Sequence, residues 1–196
     1  MSTTPITPKI MVIRHAEKPV GNIQAILVDG SQDSESLIVQ GWQRAGALTT
    51  LFAPFHGPMQ NSALATPTMI YASGYRTKGE PKNGDSKSKR PVETVTPLSQ
   101  RLGLTINESY GKDNEGPETM VADAIQQKGV VLIAWQHQEI AQIANAILGN
   151  TSAPQTWPGD RFDLVWVFDL DTKTGKYALT QVPQNLLAGD VNEVIA

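Results

Sequence analysis

Two histidines of this chain follow apolar runs directly. His15 comes after Lys9 to Ile13 (KIMVI) and Arg14, and His137 comes after Val130 to Trp135 (VVLIAW) and Gln136. Side chains at the ends of short buried strands are positioned to act together, because ligands of open α/β sheets sit beyond the strands' carboxyl ends. A guanidinium holds phosphoryl oxygens and neutralises their charge without a metal. A neutral imidazole fixed through Nδ1 presents Nε2 as a nucleophile, and this Arg-His pair therefore fits phosphoryl transfer.

Competing chemistries fail on motifs and composition. The chain lacks GxxxxGK[ST] and GxGxxG, so a glycine loop cradling a nucleotide is out, and it lacks HExxH and the GxSxG nucleophile elbow. With no cysteine, disulfides, thiolate metal sites and cysteine nucleophiles are excluded. The third histidine, His56, lies in a proline-flanked PFHGP turn and reads as a surface residue. A net charge of −3 over 196 residues, with 40% apolar and 18% charged, describes one globular domain over residues 1–196 and no generic nucleic-acid binder. VVLIAW is far short of the ~20 residues of a membrane span, and MSTTPITPK has no secretory pattern, so a cytoplasmic location away from membranes is expected.

The elements that must position these residues follow from periodicity. KIMVI and Met69 to Ser73 (MIYAS) read as strands, and VVLIAW as a strand buried on both faces. Trp42, Ala45, Leu48, Phe52 and Phe55 predict one helical face ending at Pro54 and Pro58. A second helix follows Arg90, with Val92, Val95, Leu98 and Leu102 inward and Pro97 in conflict. A weaker helix is expected from Pro117 to Lys128, with Val121, Ala124 and Ile125 inward. Ile140, Ile143, Ala144, Ile147 and Leu148 form a complete helical stripe closed by Gly149. Leu164 to Phe168 and Tyr177 to Val182 read as late strands joined by DTKTG. This alternation predicts a three-layer α/β/α sandwich with a mostly parallel sheet and an antiparallel edge. Between Gly74 and Arg90 lies a long polar stretch of net charge +4, a solvated loop or a device for steering anions.

Several segments together resemble one family. Arg14-His15-Ala16-Glu17 after its strand resembles the RHG-type signature of the histidine phosphatase superfamily, also called phosphoglycerate mutase-like. In order, LIVQGWQRA (37–45), IYAS, SKRPVET (88–94) and VVLIAWQHQEI resemble that family's helix start, serine-ending strand, second arginine and second histidine. The resemblance spans roughly residues 9 to 149. It implies a phosphoglycerate mutase-like fold, His15 as the phosphorylated nucleophile, and a phosphate pocket of Arg14, Arg90 and His137, with no metal and no cofactor. Ala16 stands where glycine is usual, and Gln138 where the family has Gly or, in its acid phosphatases, a proton-donating Asp. Glu108 in INESYG resembles the family's N-E-x-x-x-G segment with one residue deleted and is the expected general acid, with Glu17, Glu93 and Glu139 as rivals and, for a substrate with a good leaving group, no strong donor as a further alternative. Glu17, Arg76 and Gln138 are further candidates for phosphate or substrate binding.

The expected function is thus metal-independent hydrolysis of a phosphomonoester or phosphoprotein through phosphohistidine on His15. A mutase-like phosphotransferase and a non-catalytic phosphate-ligand-binding protein are the alternatives. Expected partners are phosphorylated small molecules or phosphoproteins, and neither substrate nor oligomeric state is named by the sequence.

Overall fold

The computed structural model describes residues 8–76, 86–112 and 116–196. Six strands form one sheet in the order β3-β2-β4-β1-β5-β6. β1 (Lys9–Arg14) and β4 (Val130–Trp135) lie side by side at its centre, parallel and in register from Lys9↔Val130 to Arg14↔Trp135. Their nearly unbroken apolar sequences suit strands covered on both faces. β2 (Met69–Ala72) extends the parallel part beyond β4. β5 (Leu164–Asp171) runs antiparallel to β1, and β6 (Lys176–Pro183) pairs with β5 through the DTKTG turn.

Alternation along β1 sorts its side chains between two cores. Ile10 and Val12, with Ile133 and Trp135 of β4, pack against α3 (Gly116–Ala124) and α4 (His137–Leu148) through Met120, Val121, Ile140, Ile143 and Ala144. Met11 and Ile13 face the other way, onto Leu48 and Phe52 of α1 (Val39–Phe52) and Val95 and Leu98 of α2 (Arg90–Leu102). The result is the expected three-layer α/β/α sandwich with a mostly parallel sheet and an antiparallel edge. Among the described residues, no helix is long and apolar enough to cross a membrane.

Local expectations failed where a chain-local force overrode the period. α1 starts at Val39 and stops at Phe52, and Phe55 is 79% exposed instead of lying on the helical face. Pro54 forces Ala53 out of the helical region, to φ −145° and ψ 66°. α3 ends at Ala124, so Ile125 falls beyond the buried stripe and is partly exposed. Pro97 neither delays nor ends α2. It withholds one backbone hydrogen bond, at a cost of about 3 kcal/mol, which burial of Val95 and Leu98 at roughly 1.5–3 kcal/mol each offsets. β3 (Ile106–Asn107) was not foreseen, since two residues are too few to show a period of two.

Candidate active site

β1, β2, β3 and β4 are parallel, so their carboxyl ends share one rim. The ladder continues past the strands. His15 N–H donates to Trp135 O at 2.9 Å and Ser73 N–H to Ala134 O at 3.1 Å, which fixes residues 14–15, 73 and 136–137 side by side. His137 is the first residue of α4, and Arg90 opens α2 on the opposite face of the sheet.

His15 is buried, with Nδ1 2.7 Å from the carbonyl oxygen of Ala16. A carbonyl only accepts, so Nδ1 carries the proton and Nε2 keeps its lone pair. Burial, and after it the nearby charges of Arg14, Arg90 and His137, outweigh that hydrogen bond and push the imidazole pKa down to about 3. His15 is therefore a neutral imidazole over the whole physiological range, with the Nε2 lone pair free.

Arg14, buried at the end of β1, is held along one edge. Its Nη1 donates to the carbonyls of Gly159 and Arg161, both at 2.9 Å, and its guanidinium lies 3.8 Å from the ring centroid of Phe162. Its Nε and Nη2 are buried with no partner. Arg90 is oriented by backbone carbonyls of the segment ahead of α1: Nε donates to Ser36 O and Nη2 to Ser34 O, while Nη1 meets Ser88 Oγ. Each terminal nitrogen retains a second hydrogen for a ligand. Thr94 ties the Arg90 helix to the loop after His15, accepting from Ala16 N–H at 2.8 Å and donating to Arg90 O.

Burial lowers the pKa of His137 to about 4, aided by the charges of Arg14, Lys18 and Lys112, and its Nδ1 is buried without a partner. Among the described residues, the buried side-chain atoms lacking a hydrogen-bond partner are Arg14 Nε and Nη2, Glu17 Oε2, Gln136 Oε1 and His137 Nδ1. All belong to the rim. Leaving a buried polar group unmet costs about 1–3 kcal/mol, so this rim favours partners that can meet these atoms.

The structure thus brings together Arg14, His15, Arg90 and His137. The carboxylates differ in their commitments. Glu17 Oε1 accepts from Nε and Nη2 of Arg44, whose other partners are Asp190 and Gln184. Glu93 accepts from Ser36 Oγ and Leu37 N–H, and Glu139 from Trp135 Nε1. Glu108 follows β3 at the same rim, half-buried, and burial raises its pKa. Gln138 is exposed on α4, and exposed Arg76 lies at the edge of the described residues, its N–H bonded to Ser86 O. The Arg90 charge acts on His15. His56 is exposed in its turn. Lys78 and Lys82 of the basic stretch lie outside the described residues; Lys89 pairs with Asp33.

The segment ahead of β5 holds Arg14 through the backbone carbonyls of Gly159 and Arg161 and the ring of Phe162; the sequence puts Asp160 to Asp163 within reach of the site without requiring a contact, and gives no sign of Lys18. Lys18 also feels both site arginines and itself acts on His137, which places it at the pocket's lip.

No protein-family profile and no curated protein sequence matches this chain. Solved structures do. A phosphoserine phosphatase from Entamoeba histolytica in complex with 3-phosphoglyceric acid superposes with a TM-score of 0.53 at 14% identity, covering 92% of this chain and 100% of that one. A protein provisionally assigned as the phosphohistidine phosphatase SixA of Agrobacterium tumefaciens gives 0.51 at 16% identity, over 88% and 95%. A mycobacterial glucosyl-3-phosphoglycerate phosphatase in complex with VO3 gives 0.50 at 13% identity, over 88% and 96%. The chain shares the fold of these structures, the phosphoglycerate mutase-like architecture its sequence led one to expect.

Proposed function

We propose that this protein is a phosphatase of the histidine phosphatase type, which hydrolyses a phosphomonoester or phosphoprotein through a covalent phosphohistidine on His15. The observation that carries the proposal is the Arg14 guanidinium. One edge is tied to the protein, and the other is buried, cationic and without an acceptor, beside a neutral imidazole whose free nitrogen is Nε2. A tetrahedral oxyanion supplies the missing acceptors.

In the first step His15 Nε2 attacks phosphorus. The Nε2–P bond forms, the bond to the leaving oxygen breaks, and that oxygen takes its electron pair and a proton from Glu108. Arg14, Arg90 and His137 hold the three equatorial oxygens, where charge accumulates. Glu108 follows β3 at the same rim of the sheet, and its raised pKa suits a donor. Water then attacks phosphorus and returns a proton to Glu108, and the N–P bond breaks to restore neutral His15. The residues proposed here form this machinery without assigning a step to a metal or cofactor.

The test is hydrolysis of an aryl phosphate with chelator present, comparing wild type with His15→Ala. Turnover that resists the chelator and disappears in the variant supports the mechanism. Undiminished turnover by His15→Ala would overturn it.

A further inference from the structure

β3 lies at the edge of the sheet and is two residues long, so its pairing with β2, Ile70↔Ile106 and Tyr71↔Asn107, stops just before Glu108. A general acid must be held within hydrogen-bond reach of the oxygen it protonates, and two ladder positions at an edge leave much of that task to other supports. The residues around Glu108 supply them. Tyr110 Oη donates to Asp123 Oδ2 at 3.2 Å, and Tyr71 Oη, from β2, donates to the same oxygen at 2.9 Å, with the two ring centroids 6.3 Å apart. Asn107 hydrogen-bonds the Tyr71 hydroxyl, and its Oδ1 accepts from Ser109 N–H at 3.0 Å. Gly74 N–H donates to Tyr110 O at 2.8 Å, which joins the segment to the residue after Ser73. Residues 107, 109 and 110 are thus fastened on both sides of Glu108.

Asp123 is the common anchor of this clasp. It stands one residue from the end of α3, where the helix dipole disfavours a carboxylate. Donors offset that placement: the two hydroxyls on Oδ2, and Gln127 Nε2 on Oδ1 at 3.1 Å. Hydrogen bonds to an ionised acceptor are roughly twice as strong as neutral ones. Burial, and after it Asp123, raises the pKa of Tyr71, so its hydroxyl keeps the proton it donates.

We infer that Asp123 is a positioning residue for the general acid, holding Glu108 at the rim through the hydroxyls of Tyr71 and Tyr110. This rests on the phosphatase reading, and within it on Glu108 as the proton donor.

The test compares kcat/KM, which covers steps up to departure of the leaving group, for phenyl phosphate and 2,4-dinitrophenyl phosphate. Phenoxide is basic and needs a proton as it leaves, whereas dinitrophenoxide does not. Asp123→Ala removes the anchor, and Tyr110→Phe removes one hydroxyl while keeping the ring, which guards against a folding defect in the first. Each is expected to lower kcat/KM for phenyl phosphate at least about tenfold, within the roughly 10²–10⁴-fold that a general acid contributes, and to leave 2,4-dinitrophenyl phosphate within about twofold of wild type. Added to Glu108→Gln, itself slow on phenyl phosphate, Tyr110→Phe is expected to cost no more than about twofold, because the group it positions is gone. Equal losses on both substrates, losses that add fully to those of Glu108→Gln, or undiminished phenyl phosphate turnover in both variants would overturn the inference. So would a Glu108→Gln enzyme without leaving-group preference, even with His15-dependent turnover intact. Failure of the phosphatase reading shows separately, as turnover undiminished by His15→Ala. A carbon-13 titration of the Glu108 carboxyl reads the clasp without substrate. Its pKa, raised by burial, is expected to fall toward the ordinary glutamate value in both variants, and an unchanged value in both would overturn the inference whatever the protein hydrolyses.

Discussion

Replacing His15 by Asn should flatten the acid limb of this protein's stability. In an unfolded chain a histidine titrates near pH 6.5, while in the folded protein burial pushes His15 down to about 3. Between those values the unfolded chain holds a proton that the folded one does not, so stability rises with pH across that window. The contribution is complete above about pH 6.5 and is lost progressively as pH falls toward 3. Each pH unit below 6.5 costs about 1.4 kcal/mol, so moving to pH 4.5 removes about 2.7 kcal/mol through this one group. Asn cannot titrate, yet its amide can still donate to Ala16 O. Urea unfolding of both proteins at pH 7 and 4.5 gives the difference directly, and the carboxylates and His137 cancel because both proteins carry them. The wild type should lose about 2–3 kcal/mol more than His15→Asn. Losses equal within ~1 kcal/mol would mean that His15 is solvated or already charged, and the neutral-nucleophile argument would fall with it.

Three further perturbations probe the supports of the site. Arg44→Met leaves Glu17 and Asp190 buried without their cation and should cost about 3–5 kcal/mol in urea unfolding; a loss below ~1 kcal/mol would show the network to be replaceable. At Gly41 an added Cβ would stand 2.6 Å from Glu17 O and 3.1 Å from Glu17 N, backbone atoms beside the nucleophile. Gly41→Ala should therefore cost about 1–3 kcal/mol and reduce aryl phosphate turnover, and unchanged stability would refute the close packing of α1 on that loop. Arg90→Ala should reduce kcat/KM at least about a hundredfold, the scale of one lost oxyanion donor, and Arg76→Ala far less. Comparable losses in steady-state kinetics would undo the assignment of the second arginine.

Much of the frame was legible because it rests on side-chain periodicity. Buried parallel strands write themselves as apolar runs, and β1 and β4 did so; the α4 stripe and its Gly149 cap were equally plain, with Gly149 at φ 68°. The juxtaposition of His15 and His137 then followed from two parallel strands ending together. What stayed hidden was decided by single events or by pairing at long range. Pro54 cut the α1 period before Phe55, and a two-residue β3 carried too little pattern to register. Arg44 sat unnoticed inside a helix because nothing local says that Glu17, 27 residues earlier, and Asp190, 146 later, would reach it.

The same division explains how the site is built. The side chains proposed to meet substrate are visible in the sequence, but the groups orienting them are largely backbone carbonyls: Ala16 for His15, Gly159 and Arg161 for Arg14, and Ser34 and Ser36 for Arg90. A carbonyl's identity does not depend on its residue type, so these supports place little demand on composition while fixing geometry closely. Among the described residues, carbonyl acceptors orient the two guanidiniums without a close carboxylate hydrogen bond, and the nearest ion pair of Arg90, with Glu35, is long at 4.0 Å. Glu17 breaks that pattern only in part. Its Oε1 accepts from Arg44, yet its charge also reaches Arg14, where it favours the cationic guanidinium.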